Sequence, residues 1–211
     1  MELTLSLVSV LGVLLLGAIS PGPSFVLVAR TAIAVSRIDG LFTAIGMGVG
    51  GAIFSAMVLL GLQALLASVP VLYLALKILG GLYLVYLAVH IWRGAKEPLA
   101  IARDEEKRSQ SVGKSFMLGL LTQLSNPKTA IVYGTIFAAL LPQHLPLSVT
   151  LVLPLLVFLV ETGWYSVVAI ALSTESSRAS YLRSKIHIDR AAGGIMGLLG
   201  VKLIAAVQPG S

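Results

Sequence analysis

The 211-residue sequence contains no cysteine, which removes disulfide frameworks, thiolate metal sites and thiol nucleophiles from consideration. Charge is nearly as scarce: Asp, Glu, Lys and Arg make up 11% of the chain, where a soluble domain carries about 25%. Acids are the rarer sign, nine against fifteen Lys and Arg, and none occurs between Asp39 and Glu97. His90, His144 and His187 fall near the ends of apolar stretches and form no cluster, so a transition-metal site has nothing to be built from. An intramembrane aspartyl protease needs two carboxylates sharing a site, and a serine protease needs a buried His; neither set is present. No enzyme and no cofactor follows from these residues. The opening MELTLSL lacks a basic run and carries Glu2 instead, so a cleaved signal peptide is not expected.

What is abundant is apolar sequence. The chain is 57% hydrophobic, and several runs exceed the roughly 18 residues that argue for a spanning helix. The reading is an all-α integral membrane protein with six transmembrane segments, at about 3–34, 40–67, 71–92, 115–141, 147–172 and 191–207. A charged stretch at 93–114 separates the third from the fourth, and a charged loop runs from the fifth to Arg190. Twelve of the fifteen Lys and Arg fall on one side: Arg30 and Arg37, then Arg93 to Lys114, then Arg178 to Arg190. By the positive-inside rule this places the 93–114 loop in the cytoplasm and both termini outside. A re-entrant first segment would instead put the N-terminus inside. The net charge of +6 is therefore membrane topology and not a nucleic-acid surface.

Two of the segments carry residues that a helix interior disfavours. The first contains Ser20-Pro21-Gly22-Pro23-Ser24 and the fourth contains Ser125-Asn126-Pro127-Lys128. Proline lacks an N–H and clashes with the preceding turn, so both helices should break there. Freed backbone groups in a bilayer are tolerable only where they are buried in protein or line a wet cavity. Paired breaks at matching places in two halves point to a transporter's binding site.

The halves also repeat. LKILGGLYLVYLAV in the third segment aligns with IDRAAGGIMGLLGVK in the sixth when Gly80-Gly81 is laid on Gly193-Gly194, which places Lys77 on Arg190. Three spans is an odd number, so the second copy must be inserted upside down. The expected fold is a single membrane domain of two inverted-topology three-helix repeats, 1–92 and 115–211, with helices 1 and 4 broken.

Lys128 lies too deep for its stem to bridge the roughly 15 Å to the headgroups, so a polar cavity or a protein partner is needed. With the N-terminal end of the half-helix behind it, its ammonium suits a carboxylate, and Gln123 and Ser125 offer further hydrogen bonds. Glu161 is the carboxylate deep in a segment. It must be neutral or paired, which suits either a proton-carrying acid or a structural pair with a Lys. Thr162, Trp164, Tyr165 and Ser166 suggest a polar face around it. Lys77 and Tyr165 stand as further candidates, although Lys77, like Lys202, lies where snorkelling to the interface would explain it. Gly46-Met47-Gly48-Val49-Gly50-Gly51 fits a dinucleotide fingerprint in letters only, since no strand precedes it and no acid follows at the required distance. It reads as a small-residue helix contact, as does Gly193-xxx-Gly197. Such faces also allow a homodimer.

SPGPSF in the first segment, LKILGGLYLVYLAVHIWR in the third, NPK in the fourth and an acid followed by aromatics in the fifth resemble the LysE/RhtB superfamily. These are small bacterial inner-membrane exporters of amino acids and their derivatives. The resemblance covers nearly the whole chain. It implies export from the cytoplasm driven by proton antiport, with Pro21, Gly22, Pro23, Asn126, Pro127 and Lys128 in the broken-helix positions. Glu161 stands where many relatives carry Asp. Together these readings give an exporter of a small zwitterionic amino acid, with Ser20 to Ser24, Gln123 and Ser125 to Lys128 around the substrate and Glu161 carrying the proton. The alternatives are a scaffold whose breaks are structural kinks, and a passive pore.

Overall fold

The computed structural model describes residues 2–19, 22–68, 70–96, 111–142 and 145–205. Ser20, Pro21, His144 and the centre of the charged 93–114 loop lie outside the described residues, as does the side chain of Lys77. Eight α-helices account for almost all of what is described. They are α1 (Glu2–Ile19), α2 (Pro23–Ala34), α3 (Arg37–Ser68), α4 (Pro70–Gly94), α5 (Val112–Leu124), α6 (Pro127–Leu140), α7 (Leu147–Leu172) and α8 (Glu175–Ala205).

Among the described residues, α7 and the stretch Arg37–Gly61 of α3 are each long and apolar enough to cross a bilayer. The pair α1 and α2 passes the same test as one span bent by 57°. The outward surface is apolar: Leu151, Leu155 and Leu159 on α7, Leu79 and Leu82 on α4, and Leu198 and Val201 on α8 are all exposed. On a soluble protein so much exposed apolar surface would be an aggregation liability; against lipid it is the expected face.

α8 corrects one expectation. The stretch up to Arg190, read as a charged loop, is helical from Glu175. Lys185, Asp189, Ala192 and Met196 recur at helical spacing and are buried, while Arg183, Ser184 and His187 face outward. Charge therefore stands on both sides of a helix, Lys185 and Asp189 inward and Arg183 outward, rather than in a turn.

Glycine decides which helices meet closely. A Cβ on Gly46 would collide with the Phe116 carbonyl, one on Gly119 with the Thr43 carbonyl, and one on Gly50 with the Gln123 side chain. The α3 and α5 backbones thus approach more closely than side chains would allow, and they run parallel. Across α3, Gly48 faces Thr162 and Gly40 faces Ala169, so α7 runs antiparallel to it. α4 and α8 are antiparallel too, with Gly81 against Gly200 and Gly193 against Ala88. At these glycines, the small-residue faces that would also allow a homodimer make contacts within the chain.

The interior divides into two apolar clusters. One gathers Val10, Leu14, Leu87, Ile136, Phe137, Leu153, Val157 and Met196 from α1, α4, α6, α7 and α8. The other gathers Phe25, Val28, Ala44, Met47, Tyr165 and Ala169 from α2, α3 and α7. α7 threads both through the buried stripe Val149, Leu153, Val157, Glu161, Tyr165, Val168 and Leu172. Glu161 stands in the middle of that stripe, where one cluster gives way to the other.

Candidate functional site

Both expected breaks are present in the described chain. α1 ends at Ile19 and α2 restarts at Pro23, with Gly22 as an extended N-cap that offers no side-chain bond. α5 ends at Leu124 and α6 restarts at Pro127, capped by Asn126, whose Oδ1 accepts from the Lys128 N–H at 3.0 Å. Each proline occupies the first helical position, where its missing N–H would have had no partner. Pro23 and Pro127 face outward. Their part is to end one helix and begin the next, and Ser24 and Asn126 beside them are the buried residues.

Those two side chains meet across the halves. Asn126 Nδ2 donates to Ser24 Oγ at 3.0 Å, and Ser24 Oγ donates to Gln123 Oε1 at 2.8 Å. Gln123 Nε2 then donates to Glu161 Oε2 at 2.7 Å, and the Tyr133 hydroxyl donates to Glu161 Oε1 at 2.7 Å. Tyr165 and Ser24 line the same cavity. Ser24, Gln123, Asn126, Tyr133, Glu161 and Tyr165 are all buried, so every bond in this chain forms away from water. There a hydrogen bond is electrostatically stronger, and an unpaired group costs more. The result is one polar layer, wedged between the two apolar clusters, that joins both helix breaks to the carboxyl group.

Above this layer, the C-terminal end of α1 has carbonyls that no further turn can satisfy. Lys128 Nζ donates to Gly17 O at 3.0 Å and Trp164 Nε1 donates to Ala18 O at 3.1 Å. Two side chains of the second half thus cap the broken helix of the first.

A cavity of about 370 Å³, counted to its open mouth, lies at the junction. Gly22, Ser24, Gln123, Asn126, Lys128, Glu161 and Tyr165 line it, with Leu14, Phe25 and Val132 supplying apolar wall. Of the residues expected from the sequence, Ser125 is placed elsewhere: it is exposed, and its hydroxyl bonds back to Leu121 O. Tyr133 and Thr129 line the cavity and were not expected. Their signal was present in the sequence, because Thr129, Val132, Tyr133 and Ile136 share one face of α6 just after the break. Two further buried acids, Asp39 and Asp189, were also passed over. Asp39 accepts from Ser115 at 2.7 Å and from Ser36 at 2.5 Å where α3 meets α5.

The chain is similar to known proteins along most of its length. The profile of the family described as LysE type translocator matches residues 15–206. The chain is 32% identical over 187 residues to the threonine efflux protein of Salmonella typhi, covering 88% of this chain and 90% of the relative. It is 30% identical over the same span to the threonine efflux protein of Escherichia coli K12, with the same coverage. The uncharacterized membrane protein YahN of Escherichia coli K12 is 28% identical over 193 residues, covering 92% of this chain and 86% of the relative. No solved structure matches the chain.

Proposed function

The chain belongs to the LysE type translocator family, a transporter and not an enzyme, and from that premise we propose that it exports small amino acids from the cytoplasm in exchange for protons. The observation that carries the reading is the polar layer linking both helix breaks to Glu161. Two donors on one carboxyl group suit its ionised form. A proton arriving at Glu161 removes the charge that strengthens its bonds from Gln123 and Tyr133. Weakening the Gln123 bond reaches Ser24 and Asn126, the residues at the two breaks. Protonation and helix geometry are thereby coupled by contact.

The substrate carboxylate is assigned to the Lys128 side of the cavity. The first turn of α2 lies close by, where a glycine N-cap leaves the N–H groups without a side-chain acceptor. The six-span, inverted-repeat topology is part of the same proposal. It is supported by the antiparallel pairs α3 with α7 and α4 with α8, since equivalent helices of upside-down copies must run oppositely. Export of threonine-like substrates is supported by the names of the relatives above. The driving force is sufficient, since one charge moved across 100 mV is worth about 2.3 kcal/mol, enough for a gradient of roughly fiftyfold.

The test is accumulation of labelled threonine by inside-out vesicles whose lumen is acidified. The wild-type chain is expected to accumulate it and to lose accumulation on addition of a protonophore. Glu161→Gln should abolish accumulation while leaving threonine–threonine exchange. Accumulation that survives the protonophore, or equal accumulation by Glu161→Gln, would refute proton coupling. Equilibration without accumulation would identify a passive pore, and no transport of any amino acid would return the scaffold reading.

A further inference from the structure

The carboxyl group of Glu161 is held from three helices, and one of them meets it with bare backbone. Tyr133 of α6 donates to Oε1 and Gln123 of α5 donates to Oε2, each at 2.7 Å. The third helix is α3, which reaches the group at the buried Gly51. A Cβ on Gly51 would collide with Glu161 Oε2 and stand 2.9 Å from its Cδ and 3.0 Å from the Tyr133 hydroxyl oxygen. The missing side chain thus leaves room for the acid and one of its donors together.

Nearby glycines of α3 meet other groups. A Cβ on Gly50 would press on the Gln123 stem, 2.7 Å from its Cβ and 3.0 Å from its Cγ, and one on Gly48 would collide with the Thr162 hydroxyl. At Gly51 the neighbour is the carboxyl group itself. Carbon atoms rest about 3.5–4.0 Å apart, so a methyl group there would push the carboxyl carbon back by roughly 0.6 Å or more. Such a shift disturbs two short hydrogen bonds at a 3% exposed acid, where water cannot replace a lost donor.

We propose that Gly51 is a positioning residue for the proton-carrying acid. By bringing no side chain to Glu161, it fixes the place at which Gln123 and Tyr133 can both hold the carboxyl group. The inference rests on the proton-coupled reading and adds the residue that sets where the coupling group stands. The length of the acid and the absence of a side chain at position 51 then form a matched pair. A methyl group added at 51 is offset by a methylene removed at 161, which conserves volume at the contact.

The experiment uses the full chain in proteoliposomes with an acidic lumen. Threonine accumulation and threonine–threonine exchange are measured for equal amounts of folded protein. Gly51→Ala is expected to lower accumulation by about tenfold or more while exchange changes by less than about threefold, a split that general loosening of the fold would not produce. Adding Glu161→Asp to Gly51→Ala should recover most of the lost accumulation. Gly50→Ala overpacks the same helix against the Gln123 stem, so Glu161→Asp should not rescue it. Wild-type accumulation in Gly51→Ala, equal loss of accumulation and exchange, no recovery in the double variant, or equal rescue of Gly50→Ala would overturn the proposal. If Gly51→Ala does not fold, the double variant carries the test: folding with accumulation supports the matched pair, and misfolding or folding without accumulation overturns it. A wild-type chain that exchanges threonine but does not accumulate it would instead refute the proton-coupled reading.

Discussion

Gln123 holds opposite neighbours with the two ends of one amide: its oxygen accepts from Ser24 and its nitrogen donates to Glu161. Removing it takes the acceptor from the buried Ser24 hydroxyl and the donor from Glu161 Oε2, at about 1–3 kcal/mol each. Gln123→Ala is therefore expected to lower the melting temperature in detergent by on the order of 5 °C or more, taking about 2–4 °C per kcal/mol for a chain of this size. Ser125→Ala, two residues away, removes only an exposed bond to Leu121 and should shift the melting temperature by less than about 2 °C. If the two variants melt together, the hydrogen-bonded layer does not hold the breaks in place. Both residues were legible in the sequence as polar groups near a break. Which one turns inward was not, because a break resets the helical phase and the outward face cannot be told from the inward one until a neighbour is in position.

At the scale of elements, glycines divide into those that other backbones need and those that face open space. Gly46 and Gly119 bring α3 and α5 together, whereas a Cβ on Gly134 or Gly163 would meet nothing within 4 Å. Gly46→Ala and Gly119→Ala should each destabilise by about 1–3 kcal/mol through overpacking. Gly134→Ala and Gly163→Ala should stabilise by up to about 1 kcal/mol, through the helix preference for alanine. Thermal denaturation of the four variants checks the sign as well as the size. The small-residue spacing at Gly46 and Gly50 was readable from the sequence; their partners, Phe116 and Gln123, lie about 70 residues away and were not. The extra turns at the start of α8 were missed for a related reason. Charge density there suggested a loop, and only the burial of Lys185 and Asp189 reveals a helix face.

Over the whole molecule, the charge pattern and the helix directions make the same demand. The ends of α2 and α4 and the starts of α3, α5 and α8 carry Arg30, Arg93, Lys96, Arg37, Lys114 and Arg183, and the directions fixed by packing gather these ends on one side. The absence of cysteine makes the resulting topology simple to test. A single cysteine at Leu147, the exposed start of α7, should react with an impermeant maleimide in intact cells, and one at Lys96 should react only after the membrane is opened. The reverse pattern would invert the chain and with it the direction of transport proposed here.

Composition alone placed this chain in a membrane, because a 57% apolar sequence with 11% charge cannot cover itself against water. Local chemistry alone set the two breaks, because proline cannot continue a helix whatever surrounds it. Tertiary structure decided which polar groups those breaks bring together. Ser24 finds Gln123 and Glu161 finds Tyr133 because distant helices approach through Gly50 and Gly51 and leave these buried groups only each other to bond.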